Sequence, residues 1–510
     1  MITLTVALLA LAALYWYVTR TFDYWKQRGV QCDKPLPLFG NNFSNFFAKK
    51  SVTEVATELY WKYPDERIVG FFRSSRPELV IRDPEIAKRI LTSDFLHFHR
   101  RGLNSHKTVV EPMLRNLFFA DGDLWRLLRQ RMTPAFTSGK LKAMFPLIVD
   151  RAQKLQERTR AVAADGEPID ARDLMARYTT DFIGSCGFGI DSDSLSDENS
   201  AFRNLGAKIF QIGFREIIVS LLKELFPEIF KHLKLLTKVE KDLTSLVVRI
   251  LKQRNYEPSG RNDFIDLMLE CKKMGKIEGD SIEKSKADGT AERATLEIDD
   301  ALIAAQVFVF FAAGFETSSS ATSFTLHQLA HHPSVQAKVQ RDIARVLKKY
   351  DNKLCYDAIK EMTYLEMAFK EGMRMFPSLG FLIRESTGGY TFPDLNVTID
   401  KDIGVIIPLQ AMQNDPKYFD NPEEFRPERF DCDLFDPKNK LYLPFGEGPR
   451  ACIGARLGLM QSLAGLTTLL SRFSVQPAPG APRWPRVDPA SNIIQAVRNG
   501  LPLIFRERDF

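Results

Sequence analysis

The chain has 510 residues, 45% hydrophobic and 26% charged, with a formal net charge of +6. That balance supports a substantial core and excludes wholesale disorder, and a charge so small and dispersed excludes a nucleic-acid-binding surface. The six cysteines, Cys32, Cys186, Cys271, Cys355, Cys432 and Cys452, form neither a CxxC pair nor a dense framework, so they read as free thiols in a reducing compartment.

From Ile2 to Val18 nearly every residue is apolar, and the run closes on Tyr15, Trp16 and Tyr17, types favoured at a membrane interface. A helix of that length reaches about 25 Å, the short end of what spans a bilayer core. The first basic residue, Arg20, follows the run instead of preceding it, which favours an uncleaved anchor with a cytoplasmic body over a removed signal. Residues 1–20 are therefore expected to anchor the chain. Residues 21–40, with Lys34-Pro35-Leu36-Pro37-Leu38-Phe39-Gly40, are expected to form a basic, proline-containing hinge, and 41–510 one domain.

Within that domain Ile68–Phe72 and Leu79–Ile81 predict a hairpin, and Asp83-Pro84 caps a helix running to Leu91. Helical period continues over Leu141–Ala164, Ile169–Phe188, Val239–Arg254, Ala301–Ala330, Ser334–Tyr350 and Ile453–Phe473. Phe226, Ile229, Phe230, Leu233 and Leu236, interleaved with Lys231, Lys234 and Lys238, suit either a lipid-dipping element or a core-facing helix. Lys272–Glu297 is charged and poor in large apolar residues, so a surface loop is expected. A second hairpin is predicted from Tyr390–Phe392 and Asn396–Pro408. The class is mainly α with small β-sheets.

Chemistry concentrates late in the chain. In Ala313-Gly314-Phe315-Glu316-Thr317-Ser318 helix-weak residues accumulate, so the helix is expected to open locally, with Glu316 and Thr317 as an acid and alcohol pair for proton delivery. In Phe445-Gly446-Glu447-Gly448-Pro449-Arg450-Ala451-Cys452-Ile453-Gly454 two glycines allow a tight turn beneath a flat ligand. Cys452 can then direct its sulfur at an iron, and Arg450 can meet a carboxylate.

That last segment resembles the haem-binding signature of the cytochrome P-450 family, Phe-x-x-Gly-x-Arg-x-Cys-x-Gly, at every fixed position. The resemblance implies the family fold, mainly α, with haem between a long central helix and the cysteine loop. It implies Cys452 as the metal ligand, with Arg450, Phe445, Trp125, Arg129, Arg384 and Arg100 about the cofactor, and Thr317 and Glu316 at the oxygen site. Glu371, Arg374 and Arg429 look like the family's structural triad. Pocket positions are implied at Phe118, Phe119, Phe308, Phe311, Ala312, Leu379, Phe381, Leu382, Ile493 and Ile494.

The cofactor implied is haem b, iron protoporphyrin IX, acting with O2 and NADPH-derived electrons. The implied partners are an NADPH-dependent flavoprotein reductase, with cytochrome b5 a second candidate donor, membrane lipid and an apolar small-molecule substrate. The implied location is the endoplasmic reticulum membrane, catalytic domain on the cytoplasmic face. Arg131–Lys140 and Cys452–Gln461 look closest to insect microsomal members that oxidise foreign compounds, although Leu457 replaces an expected Phe. Three functions stay open: a monooxygenase of xenobiotics or of an endogenous hormone or lipid, a haem-thiolate peroxide isomerase, and a non-enzymatic haem protein.

Overall fold

The computed structural model describes residues 2–190, 192–197, 199–210, 213–261, 263–431, 441–491 and 493–508; Cys432 and the side chain of Lys238 lie outside them. The helices that build the site are α1 (Ile2–Thr19), α2 (Gly122–Met132), α3 (Ser138–Ala163), α4 (Ala171–Ile183), α5 (Ala201–Phe210), α6 (Phe214–Leu225), α7 (Asp300–His331), α8 (Thr363–Met375) and α9 (Ala455–Arg472). Small sheets flank them, so the mainly-α expectation holds. The strands are β1 (Ile68–Arg73), β2 (Arg76–Ile81), β3 (Ile169–Asp170), β4 (Lys276–Ser285), β5 (Ala291–Glu297), β6 (Leu382–Glu385), β7 (Tyr390–Phe392), β8 (Val397–Ile399), β9 (Gly404–Ile407), β10 (Phe473–Pro477) and β11 (Pro502–Glu507).

Helix α1 leaves its apolar side chains exposed, as an anchor must. Its base is fastened: the Tyr17 hydroxyl donates to the Leu225 carbonyl at 3.1 Å and its ring stacks on Phe226, centroids 5.4 Å apart. Residues 21–40 are equally held. Trp25 is fully buried and donates to the Phe71 carbonyl, and Cys32 bridges to Gly70, because side chains this apolar gain too much from burial to swing free. Trp25 and Cys32 thus tie the proline-containing segment to the main sheet.

The main sheet has the order β1-β2-β9-β6, with Ile68 opposite Ile81 and β9 parallel to β2. The second predicted hairpin is shorter than expected: β7 pairs only with β8, while β9 crosses into the main sheet beside β6. The expectation of a loop over Lys272–Glu297 is overturned. The segment holds the β4–β5 hairpin, whose inward positions are Ile277, Gly279 and Ser281. Alternation carried by Gly and Ser does not register as apolar periodicity. Gly279 lies against Leu127 and Gln130 of α2. The Phe226–Leu236 pattern makes only a short turn of helix at Pro227–Phe230, with Ile229 71% exposed.

Helix α7 crosses the core and packs on α4, α8 and α9. Gly314 is required by that packing, because a Cβ there would run into Ile183 of α4. The helix is therefore unbroken through Ala313–Ser320, and the expected local opening is not observed. Gly314 permits a close helix crossing instead.

Glu371 and Arg374 on α8 meet Arg429 in a network without solvent. Glu371 accepts from Arg374 at 2.8 and 3.0 Å, from Arg429 at 3.1 Å and from the Arg426 amide at 3.0 Å. Replacing Glu371 with Ala leaves two buried guanidiniums without their shared carboxylate. The expected loss is about 3–5 kcal/mol of stability, read by denaturant or thermal unfolding of the haem-loaded protein; a loss under about 1 kcal/mol contradicts this role.

Candidate functional site

Cys452 sits on a loop shaped by its own backbone. Its amide donates to the Phe445 carbonyl at 2.8 Å, and the Ala451 amide donates to Gly448 at 2.9 Å. Gly446 and Gly448 have φ of 70° and 73°. At Gly448 glycine is obligatory for a second reason, since a Cβ would overlap the Leu91 carbonyl. The Cys452 side chain is accessible. Nearby protein still desolvates it, which pushes its thiol up, against the opposing pull of the Gly454 amide, Arg129 and Arg101. A metal ion's own charge reverses that balance and deprotonates a coordinating thiol.

Around this loop the structure gathers Arg101, Arg129, Arg384 and Arg450. Arg450, nearly fully buried, donates from Nε to the His99 carbonyl, and from its two terminal nitrogens to the Ala120 carbonyl and to Asp121 at 2.9 Å. Its guanidinium lies 4.3 Å over the Trp125 ring. Arg129 donates to Ala451 at 2.7 Å, and Arg101 to the Phe118 carbonyl at 2.7 Å and the Arg450 carbonyl at 3.4 Å. Arg384 donates to the carbonyl of Ile383, and its buried Nε has no partner among the described residues.

Of these four guanidiniums only that of Arg450 bonds a carboxylate, Asp121, with Arg101 and Arg384 in its field, which leaves an excess of positive charge in a desolvated place. Burial and the neighbouring Arg101 push Arg384 down to about 9. Burial, with Arg129 beside it, pushes Arg101 down to about 10. The donor set lacks an anion of matching charge, and two propionates beside a thiolate supply it. The residues fit haem.

Arg100 does not join this set. Its Nε donates to Glu283 on β4 at 3.0 Å, and Asp402 lies 3.8 Å from its guanidinium. The guanidinium turned to the cysteine loop is that of its neighbour Arg101; two adjacent arginines offered no sequence signal for choosing between them. Asp121 was also missed, because a lone Asp before a helix reads as a cap.

On α7 the Thr317 hydroxyl donates to the Ala313 carbonyl at 2.6 Å, and Ala313 is exposed although the helix is otherwise mostly buried. That accessible patch lies near the helix that follows Cys452: Gln461 donates to the Gly314 carbonyl at 3.3 Å. Glu316 is turned to α4, where Arg172 pairs with it. Gln306, another residue the sequence did not single out, accepts from the Leu117 amide at 3.0 Å and donates to the Arg115 carbonyl, tying the segment before α2 to α7.

Of the implied pocket residues, Phe118, Phe119, Ala312, Leu379, Leu382, Ile493 and Ile494 are half-buried. Phe118 and Phe119 meet edge to face, and Leu382 reaches the cysteine loop near Gly446. Phe308 is buried, and Phe311 is fully buried and packs with Phe188, Phe202 and Phe315. Phe381 packs on the apolar cluster of Ala56, Leu59 and Val69.

A family model described as Cytochrome P450 matches residues 30–500. Cytochrome P450 6B6 of Helicoverpa armigera is 38% identical over 95% of this chain and 94% of its own length. Probable cytochrome P450 6a13 of Drosophila melanogaster is 37% identical over 92% and 91%, and cytochrome P450 6B1 of Papilio polyxenes 35% over 91% and 91%.

Proposed function

Because the chain belongs to the cytochrome P450 family and is a haem-dependent monooxygenase, we propose that Cys452 ligates the iron of haem b and that the enzyme inserts oxygen into apolar foreign compounds. The observation that carries the site is the accessible Cys452 on a glycine-defined loop beside four arginines, of which only Arg450 bonds a carboxylate, Asp121. When bound, the haem supplies one-electron chemistry and dioxygen activation, with thiolate donation favouring O–O cleavage.

The chain's own groups do the rest. Arg101, Arg384 and Arg450 hold the propionates, with Arg129 and Trp125 bracing them. Thr317 carries a proton at Oγ1. Arg172 keeps Glu316 on the far side of the helix, so Glu316 supports α7 and serves Thr317 at one remove. The half-buried apolar side chains from Phe118 to Ile494 receive a substrate with little hydrogen-bonding capacity.

Electrons reach the site from NADPH through a flavoprotein reductase, with cytochrome b5 as a second donor. The docking surface is the cysteine-side face bearing Arg126, Arg131, Lys140 and Lys142. Lys142 is 62% exposed and meets Asp357 at only 3.3 Å, which leaves it available to an acidic partner. Reversing Lys140 and Lys142 to Glu slows reduction, and added salt slows the parent alike because exposed pairs are screened over about 8–10 Å; an unchanged rate removes both from the interface. The apolar, exposed α1 supports anchoring in the endoplasmic reticulum membrane, and the flanking Arg20, Lys26 and Arg28 support a cytoplasmic body.

The test of the reading is reductase-dependent NADPH consumption that rises with an apolar substrate and yields an oxygenated product. Peroxide rearrangement without reductase marks an isomerase, and haem binding without turnover marks a carrier.

A further inference from the structure

The β4–β5 hairpin, which stands where a loop was expected over Lys272–Glu297, meets Arg100, a residue the resemblance set at the haem edge, at one contact. We propose that Glu283 of the β4–β5 hairpin is a positioning residue that holds Arg100 away from the haem-edge anions and thereby sets the reduction potential of the bound haem. This rests on the reading that Arg101, Arg384 and Arg450 hold the propionates.

Arg100 adjoins Arg101 in sequence. It also bridges to Glu385 across the sheet, the Glu385 amide donating to the Arg100 carbonyl at 2.8 Å, which brings it beside Arg384. It is thus one residue from each of two arginines that the propionates require, and a fifth free guanidinium there would raise an excess that is already large. Glu283 offsets it, and Nε and one terminal nitrogen of Arg100 donate to the same Glu283 oxygen. The Arg100 side chain is 17% exposed and Glu283 31%, so water screens the pair only in part.

The carboxylate is held in register by the hairpin's attachment to α2. Asp123 in the first turn of α2 accepts from the Ser281 hydroxyl at 2.9 and 2.8 Å and from the Ile282 amide at 2.7 Å. The Glu283 amide donates to the Ser281 hydroxyl at 3.1 Å. Glu283 is seated against Gly122, where a Cβ would meet its carboxylate. Gly122 and Asp123 precede Trp125 and Arg129 on the same helix. Buried His99, whose carbonyl accepts from Arg450, registers the same field: burial, Arg100 and Arg450 push its imidazole down to about 4 while Glu283 pulls the other way. Glu283 is therefore within electrostatic range of the propionate donors.

Reduction of haem adds one negative charge to the site. A nearby unpaired cation favours the reduced form and an unpaired anion opposes it. Glu283→Gln removes the carboxylate hydrogen-bonded to Arg100, leaving it the more distant Asp402 at 3.8 Å, and is expected to move the potential positive. Arg100→Gln leaves Glu283 alone and moves it negative. The pair of substitutions together returns the potential towards the parent, and Glu283→Asp, which keeps the charge, stays near it.

The experiment is spectroelectrochemical titration of full-length, haem-loaded protein, restricted to preparations whose reduced carbon monoxide complex shows thiolate ligation. Opposite shifts that cancel in the double variant support the proposal. Shifts of the same sign in the two single variants, as a merely loosened hairpin would give, overturn it, and so does an unmoved potential. Should Glu283→Gln fail to hold haem, Arg100→Gln decides alone: a negative shift supports and its absence overturns. Loss of the thiolate spectrum in the parent defeats the haem-site reading itself, whereas an intact spectrum with unmoved potentials defeats only the role of Glu283.

Discussion

Replacing Cys452 with Ser is expected to abolish both the red-shifted thiolate band of the reduced carbon monoxide complex and all NADPH-coupled product formation. The loop itself should survive, because it is held by the Cys452 amide to Phe445, by Gly446 and by Gly448, none of which uses the sulfur. What disappears is the ligand: an alcohol at this position stays protonated where a metal-bound thiol does not. No other described cysteine can stand in. Cys186 is buried in the turn Gly184–Phe188 that follows α4, and burial together with Asp33 pushes Cys32 up to about 12. Haem content is measured alongside, since a protein retaining haem with an altered spectrum and no turnover isolates the ligand from the fold. A thiolate spectrum in Cys452→Ser overturns the assignment.

Thr317→Ala is expected to leave substrate binding and first reduction nearly intact while product formed per NADPH falls and hydrogen peroxide rises. Positioned proton-transfer groups contribute roughly 100-fold or more, and a substitute water sets how much of that is lost. The geometry ranks this residue above its neighbour. Thr317 Oγ1 donates to Ala313 at 2.6 Å beside the exposed patch of α7, whereas Glu316 is about 100° further round the helix and bound to Arg172. Glu316→Gln should therefore cost stability, by leaving Arg172 short of a partner, more than it costs coupling. Unchanged coupling in Thr317→Ala removes the proton-carrying role and leaves Cys452 untouched.

The elements whose pattern is carried by large apolar residues were legible in the sequence: α1, α3, α7, α9 and the β1–β2 hairpin agree within a few residues. So was the cysteine loop, because its chemistry needs particular residue types at fixed spacing. The β4–β5 hairpin was not, since its buried face is Ile277 with Gly279 and Ser281, small residues that suit a surface only because α2 lies against them. Gly314 was misread for a related reason. A glycine in mid-helix signals either a local break or a close neighbour, and only the position of Ile183 decides which. Arg100 and Arg101 are indistinguishable by composition, and it is Glu283, far along the chain, that separates them. The triad at Glu371 could be assigned by resemblance alone; its geometry required the fold.

The stacking of Tyr17 on Phe226 bears on how a shortened form of this protein behaves. Cutting the chain after α1 removes the Tyr17 ring from Phe226 and its hydroxyl from the Leu225 carbonyl. The newly bared ring then joins Phe214, Ile218 and Ile229, which are exposed already. An apolar patch of this kind drives self-association in water. A truncated preparation is expected to elute as aggregates or to demand detergent, although its apolar N-terminal helix is gone. Solubility has to be engineered at the junction of α6 with the turn that follows it.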